Sequence, residues 1–154
     1  MKSLVRLVSL SQGLLAALVL SSATHVVLAA EELPAVEVYK TASCGCCGSW
    51  VEHMKQSGFK VHVHNVHDVT PMREKFGVPN ALASCHTAVV GRYSVEGHVP
   101  AADVKRLLRE RPKAAGIAVP GMVQGSPGME QGRGKDPYDV VLFGGGRPSV
   151  FAQH

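Results

Sequence analysis

The chain has 154 residues, 45% hydrophobic, 5% aromatic and 18% charged, with 16 Gly, 9 Pro and 4 Cys. That length excludes a multidomain assembly, and so low a charged fraction excludes a disordered chain. The formal charge of +4 comes from 16 basic and 12 acidic residues, but no basic stripe is visible, so nothing points to nucleic acid.

Lys2 and Arg6 form a short positive region, residues 14–20 an apolar run, and Ala29-Ala30 a small-residue end. This is the pattern of a secretory signal, with Val27 and Ala29 suiting the positions before cleavage. An uncleaved anchor is the alternative. Ser21, Ser22, Thr24 and His25 interrupt the apolar run, which falls short of the ~20 residues a span needs. Removing residues 1–30 takes Lys2 and Arg6 away, leaving 14 basic against 12 acidic residues, or +2, on a mature chain of about 124 residues. No later stretch is long and apolar enough for stable membrane insertion. The mature chain is therefore expected outside the cytoplasm, where thiols tend to oxidise. All 4 Cys lie after the leader.

Val36-Glu37-Val38-Tyr39 alternates apolar and polar residues and predicts a strand. Ser43 is the predicted N-cap of a helix whose Cys47, Trp50, Val51 and Met54 fall at i, i+3, i+4 and i+7. That helix is expected to end near Ser57-Gly58. Residues 59–66 read as a second strand, with Phe59, Val61 and Val63 on one face and Lys60, His62 and His64 on the other. Thr70-Pro71 opens a short helix that Gly77 and Pro79 stop. Residues 87–90 and 93–95 read as paired strands around Gly91-Arg92. Pro100 sits at the first position of a helix that buries Val104, Leu107 and Leu108 and ends at Pro112. The order β-α-β-α-β-β-α, with a thiol motif at the first strand-to-helix turn, is that of an α/β thioredoxin-like fold, a central mixed sheet with flanking helices. Residues 114–135, rich in Gly, Pro, Ser and Gln without a period, are expected as a long loop. Residues 140–143 and 149–151, joined through Gly144-Gly145-Gly146, are expected as a terminal hairpin.

Cys44, Cys46 and Cys47 share one turn, and two chemistries fit. In the first, Cys44 and Cys47 form a C-x-x-C dithiol at a helix N-terminus, where the helix dipole stabilises a thiolate. Cys44 would attack, since Cys47 lies on the buried face. In the second, the thiolates converge with a fourth sulfur on a soft ion. Cys46 favours the metal: a third thiol beside a redox pair invites scrambling, whereas a copper(I) site gains from each added sulfur. Cys85, just before a strand expected to pack beside that helix start, is the candidate fourth sulfur. Two ordinary disulfides are the plain alternative. Zinc also fits four thiolates, although its motifs usually come as two separated C-x-x-C arms. Haem attachment drops out because Gly48, not His, follows Cys47.

Met122 and Met129 lie in the flexible tail, where a Met has little packing role, and thioether sulfur favours copper(I) over zinc. Met54 is expected in the core, Met72 packed, and Trp50 in the core. His86 neighbours Cys85 and is a candidate ligand. His62, His64 and His67 read either as a second metal patch or as a solvated strand face. His53 and His98 show no partner in the sequence.

The run Cys44-Gly45-Cys46-Cys47 with Trp50 is followed by Ser84-Cys85-His86-Thr87 and Glu96-Gly97-His98-Val99-Pro100. Val119-Pro120-Gly121-Met122 and Gly125-Ser126-Pro127-Gly128-Met129-Glu130 come next. Together these resemble the CopG-type periplasmic metal-binding proteins of bacterial copper-resistance clusters, over about residues 35–150. The resemblance implies a thioredoxin-like fold, a periplasmic location and copper at the cysteine cluster. Carried over by motif, Cys44, Cys46, Cys47 and Cys85 are the implied thiolate ligands for Cu(I), more than one ion being expected. Met122, His86 and Met129 follow as further ligands. The expected partners are copper ions and other periplasmic copper-handling proteins. A redox role, cycling the thiols or the copper, fits that fold, and a metal-free thiol–disulfide oxidoreductase using Cys44 and Cys47 is the contrasting reading.

Overall fold

Residues 32–132 and 134–154 are described by a computed structural model; the leader predicted over residues 1–30 lies outside them. Strand β1 (Val36–Lys40) buries Val36 and Val38 completely, as its alternation requires. Helix α1 (Gly45–Gln56) buries Cys47, Trp50, Val51 and Met54, the four positions its period singles out. Strand β2 (Val61–Asn65) and the short helix α2 (Thr70–Lys75) follow, then a 3-10 turn at Asn80–Leu82. Strands β3 (His86–Val90) and β4 (Tyr93–Glu96) form a hairpin, and helix α3 (Ala101–Glu110) ends before Pro112. Strands β5 (Gly116–Ala118), β6 (Asp139–Phe143) and β7 (Ser149–Gln153) complete the chain. The expected terminal hairpin is β6 and β7, paired antiparallel.

The strands make one mixed seven-stranded sheet in the order β2-β1-β3-β4-β5-β6-β7. Helices α1 and α3 cover one face, where Trp50, Met54, Val104 and Leu107 pack on Val38, Val90, Val95 and Ile117. Helix α2 lies on the other, with Phe76 against Tyr39 and its carbonyl accepting from the Ser94 hydroxyl. No helix among the described residues is long and apolar enough to cross a membrane.

Several local readings differ from the structure, among them the strand expected over residues 59–66, which spans only Val61–Asn65 and leaves Val63 exposed. Cys44, not Ser43, caps α1, so the first thiol sits at the helix end itself. Pro100 is the N-cap of α3 rather than its first residue. Strand β5 lies inside residues 114–135, expected to be loop throughout, and pairs parallel to β4. Three residues are too few to show a period, and the strand exists because a neighbour supplies its ladder. Gly116 makes the pairing possible: a Cβ there would stand 2.0 Å from the Ser94 carbonyl oxygen.

One buried charge fastens the segment that carries Cys85. Glu96 on β4 is fully buried. Its Oε1 accepts from Arg73 Nε at 2.9 Å and from the Ser84 backbone N–H at 2.7 Å. Its Oε2 accepts from the Thr87 hydroxyl at 2.6 Å. Arg73 on α2 also donates through Nη2 to the Ser84 carbonyl at 2.7 Å. A buried carboxylate is tolerable only when so fully engaged. Replacing Glu96 by Gln strands the Arg73 charge and is expected to lower unfolding stability by about 3 kcal/mol, read by urea denaturation. A loss below about 1 kcal/mol would show that the network is not what holds this segment.

Candidate metal centre

After β1 the chain turns through residues 41–43, and the Cys44 backbone carbonyl accepts the first helical bond of α1 from the Gly48 N–H at 3.3 Å. Cys44, Cys46 and Cys47 thus occupy the first turn. Cys44 and Cys47 are joined as a disulfide with their Cα atoms 5.4 Å apart, and Cys46 and Cys85 are free thiols. One bridge is present, not the two of the plain disulfide alternative. Cys46 Sγ lies 3.5 Å from Cys44 Sγ. Cys85 arrives from a segment 38 residues beyond Cys47, whose Sγ sits 3.7 Å from the Cys85 carbonyl oxygen. All four sulfurs lie within 4.8 Å of one another.

Two histidines extend the cluster. Cys85, His86 and His98 offer ligand atoms that also lie within 4.8 Å of one another. His98 Nε2 is 2.9 Å from Cys85 Sγ, while its Nδ1 donates to the Pro127 carbonyl at 2.8 Å. The carbonyl holds the proton on Nδ1, so the Nε2 lone pair faces the sulfur. His86 Nδ1 is 3.5 Å from the same sulfur, and its Nε2 is buried without a partner. Trp50 packs against the His86 ring at 4.4 Å, and His98 meets it edge-on at 5.1 Å.

His98 was invisible as a ligand candidate, although a signal existed. The hairpin pairs Thr87 with Glu96, and continuing that register by two residues sets Cys85 opposite His98. Reading the hairpin as a ruler would have found it.

Cys85, His86 and His98 are each pushed toward the neutral form. Burial, then the neighbouring Cys46, pushes the Cys85 thiol up to about 12. Burial lowers His98, and burial followed by its neighbours His98 and Lys40 holds His86 well below its ordinary range. The site therefore presents neutral thiol and neutral imidazole lone pairs, the forms from which a metal displaces protons.

The tail rests on both cysteine-bearing segments. The Gly121 N–H donates to the Ala83 carbonyl at 3.0 Å, and the Ser84 hydroxyl donates to the Gly121 carbonyl. Gly128, at φ +85°, lies so close to α1 that a Cβ would stand 2.7 Å from the Cys46 carbonyl oxygen and the Trp50 nitrogen. Met129 beside it is half-buried, whereas Met122 is 60% exposed. His53 accepts from the Ala101 N–H at 3.0 Å and joins helices α1 and α3. His62 and His64 engage Glu37 instead of the thiols.

Thiol, thioether and imidazole groups suit a soft ion. In the disulfide form Cys46, Cys85, His86 and His98 remain available; two-electron reduction would release Cys44 and Cys47 as well.

A sequence family described as "Protein of unknown function, DUF411" matches residues 82–129. That span carries Cys85, His86, His98, Met122 and Met129. Two solved structures, named copper resistance protein copG form 2 and form 1, are each 47% identical with a TM-score of 0.75. Each covers 80% of this chain, which in turn spans 99% and 98% of theirs. No curated protein sequence matches.

The raised Cys85 thiol has a kinetic consequence, since only the thiolate alkylates. At pH 8 Cys85 is expected to react with iodoacetamide at least about tenfold more slowly than a free cysteine peptide, followed by mass spectrometry of the Cys85-containing peptide after digestion, which separates it from the other free thiol at Cys46. Comparable rates would show that Cys85 is ionised or far more exposed than its surroundings imply.

Proposed function

The chain belongs to the CopG-type copper-resistance family, and on that premise we propose that it is a periplasmic copper-binding protein of copper resistance. Its cargo is Cu(I), held by Cys44, Cys46, Cys47 and Cys85 once the Cys44–Cys47 bridge is reduced. The observation that carries this reading is the convergence of four sulfurs within 4.8 Å from two separate segments. Thiolates can bridge between ions, so the site accommodates more than one. His86 supports the same reading, because its buried, unpartnered nitrogen would gain a partner on binding a cation. The thioethers of Met122 and Met129 complete the soft donor set. The predicted leader supports delivery outside the cytoplasm, where other copper-handling proteins would exchange metal with the site.

The sheet order β2-β1-β3-β4, with β1 parallel to β2 and antiparallel to β3, supports a thioredoxin-like core. So does a disulfide at the start of α1, and this second observation favours the contrasting reading, a metal-free thiol–disulfide oxidoreductase. Taking two electrons and two protons from a donor dithiol would open the Cys44–Cys47 bridge, and Cys46 would be dispensable. A combined redox and copper role uses the same atoms.

Cys46→Ser separates the two. For a copper site, the reduced variant is expected to lose Cu(I) affinity by at least about tenfold against a chromophoric chelator, while the Cys44–Cys47 couple stays reducible. Unchanged copper affinity with full disulfide-reductase activity would favour the enzyme and overturn the copper reading.

A further inference from the structure

A second set of ligand groups stands on the sheet edge, apart from the thiols. Strand β2 is an edge strand paired parallel to β1, with Glu37 opposite His62 and Tyr39 opposite His64. His62 and His64, two residues apart on a strand, project from the same face as their partners. One carboxylate engages both rings: Glu37 Oε1 lies 2.7 Å from His62 Nδ1, and Oε2 lies 2.6 Å from His64 Nε2. Tyr39 stacks on His64 with centroids 4.8 Å apart and planes 17° apart, and itself leans on Phe76 beyond α2. The three side chains are 61%, 46% and 37% exposed for His62, His64 and Glu37.

We propose that Glu37, His62 and His64 form a second metal site, for a divalent first-row cation and foremost Cu(II). The pattern exceeds what a solvated strand face requires. Any polar residues satisfy such a face, whereas here one carboxylate engages two imidazoles across two strands, one ring on each oxygen. Nitrogen and carboxylate oxygen are the donors that divalent copper, zinc and nickel prefer, and copper heads the affinity order. The thiols favour the monovalent ion, so this chain presents separate donor sets for the two oxidation states of one metal. The side chains are exposed enough to change rotamer, and occupation of the site would require His62 and His64 to leave their present bonds to Glu37 and turn both rings and the carboxylate onto one ion at about 2.0–2.2 Å. Each ring must then offer a lone pair. Its shared proton moves to the other ring nitrogen or leaves to water, and no electron is transferred. Water fills the remaining positions, since solvent reaches all three ligands. This site is independent of the thiolate reading and stands whether or not that reading does.

The test is a Cu(II) titration of the mature chain carrying Cys46→Ser and Cys85→Ser, which removes every free thiol, read by electron paramagnetic resonance with nitrogen hyperfine analysis. One equivalent is expected to bind with two imidazole nitrogens. Adding His62→Ala and His64→Ala is expected to weaken binding by at least about 100-fold, and Glu37→Gln alone by about tenfold. Circular dichroism checks that both variants keep the fold, and Cu(I) uptake by the otherwise wild-type chain carrying His62→Ala and His64→Ala should be unchanged. Equal Cu(II) affinity in the histidine variant, with copper held instead by His86 and His98, His67, His154 or the amino terminus, overturns the proposal. So does an unchanged affinity in Glu37→Gln.

Discussion

Four sulfur atoms confined within 4.8 Å cannot all carry charge unless something positive joins them. Two unit charges at 4 Å repel by about 1 kcal/mol in bulk water and about 4 kcal/mol at the effective dielectric of a protein surface. Four thiolates multiply that term over every pair. The structure displays two of the available remedies. Cys44 and Cys47 remove charge by bonding to each other, and burial beside Cys46 keeps Cys85 protonated. A soft cation is the third remedy, and the only one that leaves all four sulfurs as ligands. Redox state and any metal binding here would therefore be coupled by electrostatics, before any particular reaction is specified.

That crowding exists because two distant segments are held in register. The Cys44–Cys47 turn is positioned by β1 and by the burial of Trp50, whose indole donates to the Val99 carbonyl at 2.8 Å. The Cys85 segment is positioned by Glu96, which gathers Arg73, Ser84 and Thr87. The same hairpin carries His98 to Cys85, and the tail locks His98 through the Pro127 carbonyl. A buried carboxylate is a costly fastener compared with apolar packing. It is directional, however, and a ligand set needs direction. Function and fold share these residues, so losses in one are expected to appear in the other.

Much of the scaffold was legible because it is periodic. The buried face of α1, the element order through α3 and the terminal hairpin all follow from apolar spacing and from Gly or Pro punctuation. The cysteine convergence was legible as chemistry, since residue type and one-turn spacing restrict what thiols can do. Three features were not. Strand β5 has too few residues for a pattern and depends on Gly116 nestling against Ser94. Cys44 stands at the N-cap position without a side-chain capping bond, although Ser43 has the stronger capping preference. His98 needs the hairpin register to be found, because its partner lies 13 residues away. The first and third are properties of pairing between segments, which local patterns do not encode.

The most direct measurement is X-ray absorption on the anaerobically reduced protein loaded with Cu(I). The account predicts a first shell dominated by sulfur, with copper retained through desalting. A shell of nitrogen and oxygen alone, or copper that washes away, would contradict the claim that these thiols exist to share a soft metal.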